Sequence, residues 1–185
     1  MLNERDEKRT DVVFEFKEGN VSLILDSYDD IFSDFDPRSY SERALSDDFL
    51  SECKKAARDK EDRLELRFLI PKQKRNYRDE IKIKKRLKDH FHRHFLETNK
   101  KINKIKMSGL IWFILGAIVM TLGTFLYSQR DNGFLFTFLF IMSEPAGWFF
   151  FWEGLAKIFI TSKKELPDYE FYKKMSKSEI VFLDY

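Results

Sequence analysis

The sequence predicts an α+β cytoplasmic domain joined to a two-helix transmembrane hairpin, and three observations carry that prediction. Residues 108–127, SGLIWFILGAIVMTLGTFLY, hold no charge in a chain that is 35% charged. At about 1.5 Å per residue such a run spans the roughly 30 Å hydrocarbon layer of a bilayer. A second apolar run, FLFTFLFIMSEPAGWFFFW at 134–152, follows the polar loop SQRDNG. In the remainder, stretches of period-two alternation are interspersed with stretches of helical spacing, the pattern of a small mixed domain. The expected divisions are a cytoplasmic α+β domain over 1–75, a long connecting helix over 76–106, a transmembrane hairpin over 107–161, and a C-terminal helix and strand over 162–185 that pack on the first domain. Within the hairpin the helices fall at about 108–127 and 134–152, the second with room to continue to 160.

The elements follow in order. VVFEFK alternates Val12, Phe14 and Phe16 against Val13, Glu15 and Lys17; after Gly19-Asn20, VSLIL repeats the alternation, which predicts a β-hairpin. DSYDDIFSDFDPRSY (26–40) is rich in Asp and Ser and reads as a structured loop, with Tyr28, Ile31, Phe32 and Phe35 expected to pin it to the core. Leu45, Phe49, Cys53 and Ala56/Ala57 recur at helical spacing. Ser46 is placed to cap that helix, Asp47 and Asp48 fall in its first turn, and Lys54, Lys55 and Arg58 lie towards its end. RLELRFLIP alternates Leu64, Leu66, Phe68 and Ile70 and predicts a further strand. From about Asn76 the spacing is helical again, with Ile83, Leu87, Phe91, Phe95, Thr98, Ile102 and Ile105 on one stripe. No Pro or Gly interrupts it before Gly109, so it should run straight into the first membrane helix. ELPDYEFYKKMSK then predicts a short helix and EIVFLDY a final strand of the same sheet.

Composition narrows the classes. The net charge of +2 gives no global basic excess that would indicate nucleic acid, and the lone Cys53 excludes an intrachain disulfide and suits a reducing compartment. The N-terminus, MLNERDEKRTD, has no apolar core of the kind a secretory signal carries, so insertion should be directed by the internal apolar run. Lys100, Lys101, Lys104 and Lys106 precede the first apolar run and Lys157, Lys163 and Lys164 follow the second, while the loop between them has only Arg130, opposed by Asp131. By the positive-inside rule both termini are cytoplasmic, with Trp148, Trp152 and Tyr127 as interfacial anchors.

Candidate functional residues each have a plainer structural alternative. Glu144 is a carboxylate at membrane depth beside Pro145, which removes a backbone hydrogen bond and disfavours helix at the residue before it; together they predict an interrupted helix. Glu144, Pro145 and, further along, Glu153 are therefore candidates for a pore or other membrane function, the alternative being a shallow Glu144 that caps the second half-helix. Gly109, Gly116 and Gly123 recur every seven residues and form a close-packing face, either between subunits or within the hairpin; self-association is the preferred reading. Lys72, Lys74, Arg75 and Arg78 open a basic segment that could hold phosphate or an oligonucleotide, against a merely solvated helix face. Asp26, Asp29, Asp30, Asp34 and Asp36 lack EF-hand spacing and read as caps and turns rather than a cation site. His90 and His94 lie one turn apart without H-E-x-x-H context; His94 falls near the apolar stripe, and the preferred reading is a packed His94 rather than a metal ligand. No P-loop, nucleophile elbow or glycine-rich dinucleotide turn is present, so no enzyme, catalytic residue, metal or cofactor is expected.

LDSYDDIFSDFDPRSYSERALSDDFLSE (25–52) with EPAGWFFFWEGL (144–155) resembles a family of small uncharacterised prokaryotic two-helix membrane proteins. That resemblance implies the whole-chain layout and no activity. By architecture alone the chain is also similar to membrane effectors of nucleotide-signalling antiphage systems, including the channel-like effector of Hailong-type defence. The expectation is a self-associating, multi-pass protein of the prokaryotic inner membrane. Its cytoplasmic domain would respond to a nucleotide or oligonucleotide ligand, or to a protein partner, and gate a pore. The competing expectation is a non-conducting tether or adaptor that recruits a cytoplasmic protein.

Overall fold

The computed structural model describes residues 20–58, 60, 64–129 and 133–185. The principal elements are β1 (Asn20–Ile24), α1 (Asp47–Ala57), β2 (Glu65–Ile70), α2 (Tyr77–Ser128), α3 (Phe134–Ala156), α4 (Leu166–Lys177) and β3 (Glu179–Asp184). They form two compact units: a sheet unit, made of the described residues up to Phe95 with Glu170–Tyr185, and a helical unit, Leu96–Tyr169. The architecture is thus mixed helix and strand with two long apolar helices, as the residue patterns predict.

In the sheet unit the strands lie in the order β1-β2-β3, and both pairs are parallel. Parallel neighbours need a crossover, which α1 supplies between β1 and β2. The register aligns Val21 with Leu66 and Leu66 with Ile180, then Leu23 with Phe68 and Phe68 with Phe182, so the alternating apolar residues of three strands share one face. Phe49, Cys53 and Ala57 of α1, Ile83, Leu87 and Phe91 of α2, and Phe171 and Met175 of α4 belong to the same buried cluster. The final strand completes the sheet begun by β1, so segments before and after the two long apolar helices share one core. The first strand of the expected hairpin, residues 12–17, lies outside the described residues.

The 26–46 segment is held by its own polar groups. Ser27 and Asp30 form a reciprocal capping box on the turn Tyr28–Ile31. Asp36 pairs with Arg38 and accepts the Ala44 amide at 2.7 Å, which holds its carboxyl well below the usual range. Tyr28, Ile31 and Phe32 are buried and do pin the loop, whereas Phe35 is 97% exposed, contrary to expectation. The reason is local. Phe32 bridges Leu45, Ser33 N–H donates to Ala44, and Asp36 N–H donates back to Ser33, so Phe35 stands at the tip of a reversing turn. That same bridge takes Leu45 out of α1, whose cap is Ser46, accepting the Phe49 amide.

A buried polar cluster closes the unit. Glu80 is 4% exposed and receives Arg75 through two hydrogen bonds of 2.9 and 3.1 Å, and the Tyr28 hydroxyl at 2.9 Å. Tyr28 in turn accepts the Asn76 amide, and Arg75 also reaches Asp184 at 3.2 Å. The 26–46 loop, the start of α2 and the end of β3 therefore meet on one carboxylate. Burial, reinforced by the Glu80 contact, raises the Tyr28 hydroxyl to about 12, so it stays a donor.

In the helical unit α3 passes through a π-helical turn, Lys157–Thr161, before Ser162–Lys164. Its most apolar stretch is only 6% buried, and that of α2 only 17% buried. A core helix of a soluble protein would be mostly covered, so these two are helices long and apolar enough to cross a membrane.

Replacing Glu80 with Ala removes the buried acceptor of the Tyr28 hydroxyl and leaves Arg75, half-buried, with Asp184 as its one remaining ion-pair partner among the described residues. The expected loss is about 3–5 kcal/mol by denaturant unfolding of the sheet unit in the full chain, against under about 0.5 kcal/mol for Glu52→Ala on the exposed face of α1.

Candidate functional site

The geometry of the helical unit rests on its glycines. A Cβ on Gly116 would lie 2.5 Å from the Phe151 amide nitrogen and 2.9 Å from the Gly147 carbonyl oxygen, and one on Gly154 would lie 2.7 Å from the Gly109 carbonyl oxygen. Gly123 faces Ser143 equally closely. Gly109 is thus matched with Gly154 and Gly116 with Gly147, backbone against backbone, in an antiparallel pair. Sequence spacing identified Gly109, Gly116 and Gly123 as a packing face; their counterparts Gly147, Gly154 and Ser143 were not singled out, although the seven-residue interval from Gly147 to Gly154 repeats the signal. This face is occupied within the chain. Phe113 and Phe151 pack at 4.6 Å and Trp112 and Phe150 at 5.2 Å beside it.

That pairing also fixes the level of Glu144. Counting from the matched glycines, it lies beside residues 119–122 of α2, roughly six to nine residues or ~9–14 Å from the end of that helix at Ser128. Its side chain is exposed and has no hydrogen-bond or ion-pair partner among the described residues, while its neighbours Ile141, Met142 and Trp148 are exposed apolar residues. The expected interruption at Glu144-Pro145 does not occur: α3 is helical from Phe134 to Ala156 with Pro145 inside. A helix absorbs a proline when the freed carbonyl is re-satisfied or the bend is small, and here the glycine contacts hold α3 against α2 on the C-terminal side of Pro145. Glu144 therefore caps nothing. Glu153 lies two turns on, 3.5 Å from Lys157, whose ammonium stands 4.8 Å above the Trp112 ring.

The basic candidates separate into two kinds. Arg75 is turned inward and held by Glu80 and Asp184, which raises its already high pKa further. Lys72, Lys74 and Arg78 are exposed, with the Lys74 ammonium donating to the Asp26 carbonyl at 2.9 Å. Nothing in the sequence marked Glu80 or Asp184 as the partners of Arg75, since Asp184 lies at the far end of the chain. Of the loop carboxylates, Asp29 binds Arg43, Asp30 caps the 27–31 turn and Asp36 binds Arg38. No group of three metal-ligating side chains is found among the described residues.

His90, rather than His94, is the buried histidine, at 8% exposure, with its ring 4.3 Å from that of His94; His94 stacks on Tyr172. Burial, with smaller contributions from His94, Arg86 and Arg93, pulls His90 down to about 4. Cys53 is fully buried, and its thiol is pushed up to about 12, which makes it inert.

The fold and site define a class: a small parallel-sheet unit coupled in sequence to a glycine-packed pair of long apolar helices, with Glu144 an acidic group that has no partner among the described residues. No protein-family model, curated protein or solved structure matches the chain.

Because the Gly116 contact is to backbone, Gly116→Leu should separate the helices and lower the unfolding midpoint of the detergent-solubilised protein markedly. Ile118→Ala, on the exposed side of the same helix, should leave it nearly unchanged. His90 supplies a pH test. Its folded pKa is depressed below the ordinary value of about 6.5, so the unfolded chain binds the extra proton. Its contribution is complete above about pH 6.5 and is lost as pH falls towards 4. His90→Leu should flatten that part of the stability profile, measured by thermal unfolding between pH 7 and pH 4.

Proposed function

We propose that this chain is an integral membrane protein that self-associates, and that its sheet unit responds to a ligand or partner and gates a path across the bilayer. The unpaired Glu144 carries this reading. A carboxylate facing hydrocarbon near the middle of a bilayer costs about 3 kcal/mol even on the lenient insertion scales, and such groups face protein, water or a pairing partner. Within one copy Glu144 has no pairing partner among the described residues. Several copies arranged with Glu144 inward would give it a wet, shared environment and a ring of acidic groups that favours cations. α2 contributes to both units without a break, and in this reading it carries the response of the sheet unit to the hairpin. In this reading the lysine flanks favour a cytoplasmic side for both ends of the hairpin by the positive-inside rule, in a prokaryotic inner membrane. The architectural likeness to antiphage effectors makes defence a candidate setting, with a nucleotide or oligonucleotide as the ligand class for Lys72, Lys74 and Arg78.

One observation favours a second reading, a non-conducting tether that recruits a cytoplasmic protein. The glycine face is already filled inside the chain, so these glycines need no second copy to be packed.

Reconstituted protein separates the two. The pore reading expects an oligomer in detergent and cation flux from liposomes, with Glu144→Gln reducing cation preference at least severalfold while leaving the sheet unit folded. A monomer that passes no ions, with or without nucleotides added, contradicts it and supports the tether.

A further inference from the structure

The glycine pairs that set the level of Glu144 also gather the lysines. With Gly109 beside Gly154, Lys106 comes level with Lys157, and Lys100 with Lys163, so the lysines of α2 and of the segment after α3 occupy one end of the helical pair. Lys101 and Glu165 are joined at 2.9 Å across the same level, which confirms the alignment independently. From Lys100 to Lys106 the band is ~9 Å deep along the helix, comparable with the roughly 5–8 Å of headgroup region on each side of a bilayer.

The charges in this band are not balanced. Lys101 is paired with Glu165 and Lys157 with Glu153, but Lys100, Lys104, Lys106, Lys163 and Lys164 are exposed and have no acidic partner among the described residues. The other acidic side chains near this end are Glu97 and Asp168, which have contacts of their own. Towards the apolar side lie the three tryptophans, Trp112 six residues from Lys106, Trp152 five residues from Lys157, and Trp148 one turn deeper, nearer Glu144. Trp112 sits under Lys157, and Trp148 and Trp152 stack at 5.8 Å with half or more of their surface exposed. Amphipathic indoles within about two turns of a lysine band, as Trp112 and Trp152 are, suit the boundary between acyl chains and headgroups. At the opposite end the described residues, Ser128, Gln129 and Gly133, carry no charge.

We propose that this lysine band is a binding surface for the phosphate groups of anionic phospholipids, seating the hairpin at the charged face of the membrane. The proposal rests on the reading that the hairpin spans a bilayer. Each ammonium within reach of an anionic surface strengthens association about fivefold, and the effect falls with salt because the lysines are exposed. The exposed lysines stand on two helical segments along a ~9 Å band, which a surface of many phosphates can meet at several points and a single small anion cannot.

The tryptophans supply the readout. The full-length protein is reconstituted into vesicles containing brominated phosphatidylglycerol or brominated phosphatidylcholine, and quenching of indole fluorescence gives the relative affinity of the two lipids for this end of the hairpin. Wild type should prefer phosphatidylglycerol about fivefold or more, with the preference shrinking at high salt. Substituting Lys104, Lys106, Lys163 and Lys164 together with Gln should bring the ratio close to one. Equal quenching by both lipids in wild type, or a preference that the fourfold variant retains, overturns the proposal. So does loss of the preference on adding millimolar inorganic phosphate at constant ionic strength, which would assign the lysines to a free anion. Carbonate extraction of the same vesicles tests the spanning reading separately: protein that remains in the pellet but shows no lipid preference refutes the lysine band alone, whereas protein released by carbonate refutes the spanning reading and the band with it.

Discussion

The close approach of α2 and α3 through glycine is the constraint on which the rest of the helical unit depends. With no Cβ at Gly109, Gly116, Gly147 or Gly154, the backbones touch, and carbonyl and amide groups of one helix lie against those of the other. In an apolar solvent there is no hydrophobic drive to bring two helices together, so packing of this kind must supply it. It also fixes register: a residue with a Cβ at any of these four positions would meet the opposing helix at 3 Å or less, so only the glycines fit there. The depth of Glu144, the level of the lysines and the position of the tryptophans all follow from that one register.

The sheet unit depends on a different device. Its apolar face is assembled from strands far apart in sequence, and the polar cluster around Glu80 fixes how the loop after β1, the start of α2 and the end of β3 meet. A buried ion pair contributes less net stability than its distances suggest, because both partners were desolvated to form it. Its value lies in specificity, since the carboxylate is satisfied only when Arg75 and Tyr28 are both in place. Arg75 is thereby withdrawn from ligand binding, which leaves Lys72, Lys74 and Arg78 as the exposed part of that basic segment.

Periodicity made much of this legible. The α1 cap at Ser46, the alternation in β2, the apolar stripe from Ile83 to Ile102 and the return of the C-terminal strand to the sheet could all be read from local spacing. Two kinds of feature could not. The parallel pairing of β1 with β2 is a property of register between distant segments, and local alternation looks the same in a hairpin and in a crossover. The partners of Arg75 lie on separate elements, and no local rule links Arg75 to Asp184. Phe35 and Pro145 show the opposite limit. Phe35 is apolar and the turn still carries it outward, because the Phe32–Leu45 bridge sets the direction of the chain. Pro145 breaks helices in water more readily than in a helix braced at Gly147 and Gly154. For the candidate site, Glu144 was legible as a charge in an apolar run, whereas its exposure and its lack of a partner required the packing of the two helices.

The central claim is that the hairpin crosses a bilayer with Glu144 at depth, and a measurement of that depth tests it most directly. A nitroxide attached at Glu144→Cys in a Cys53→Ser background, in the reconstituted full chain, would report its distance from the headgroups through the opposing effects of oxygen and a water-soluble relaxant. The account predicts a position ~9–14 Å inside the headgroup boundary on the loop side, within the hydrocarbon layer and far from the lysine band. A label that reads as lying at the headgroups, or in bulk water as it would on a soluble protein, contradicts it.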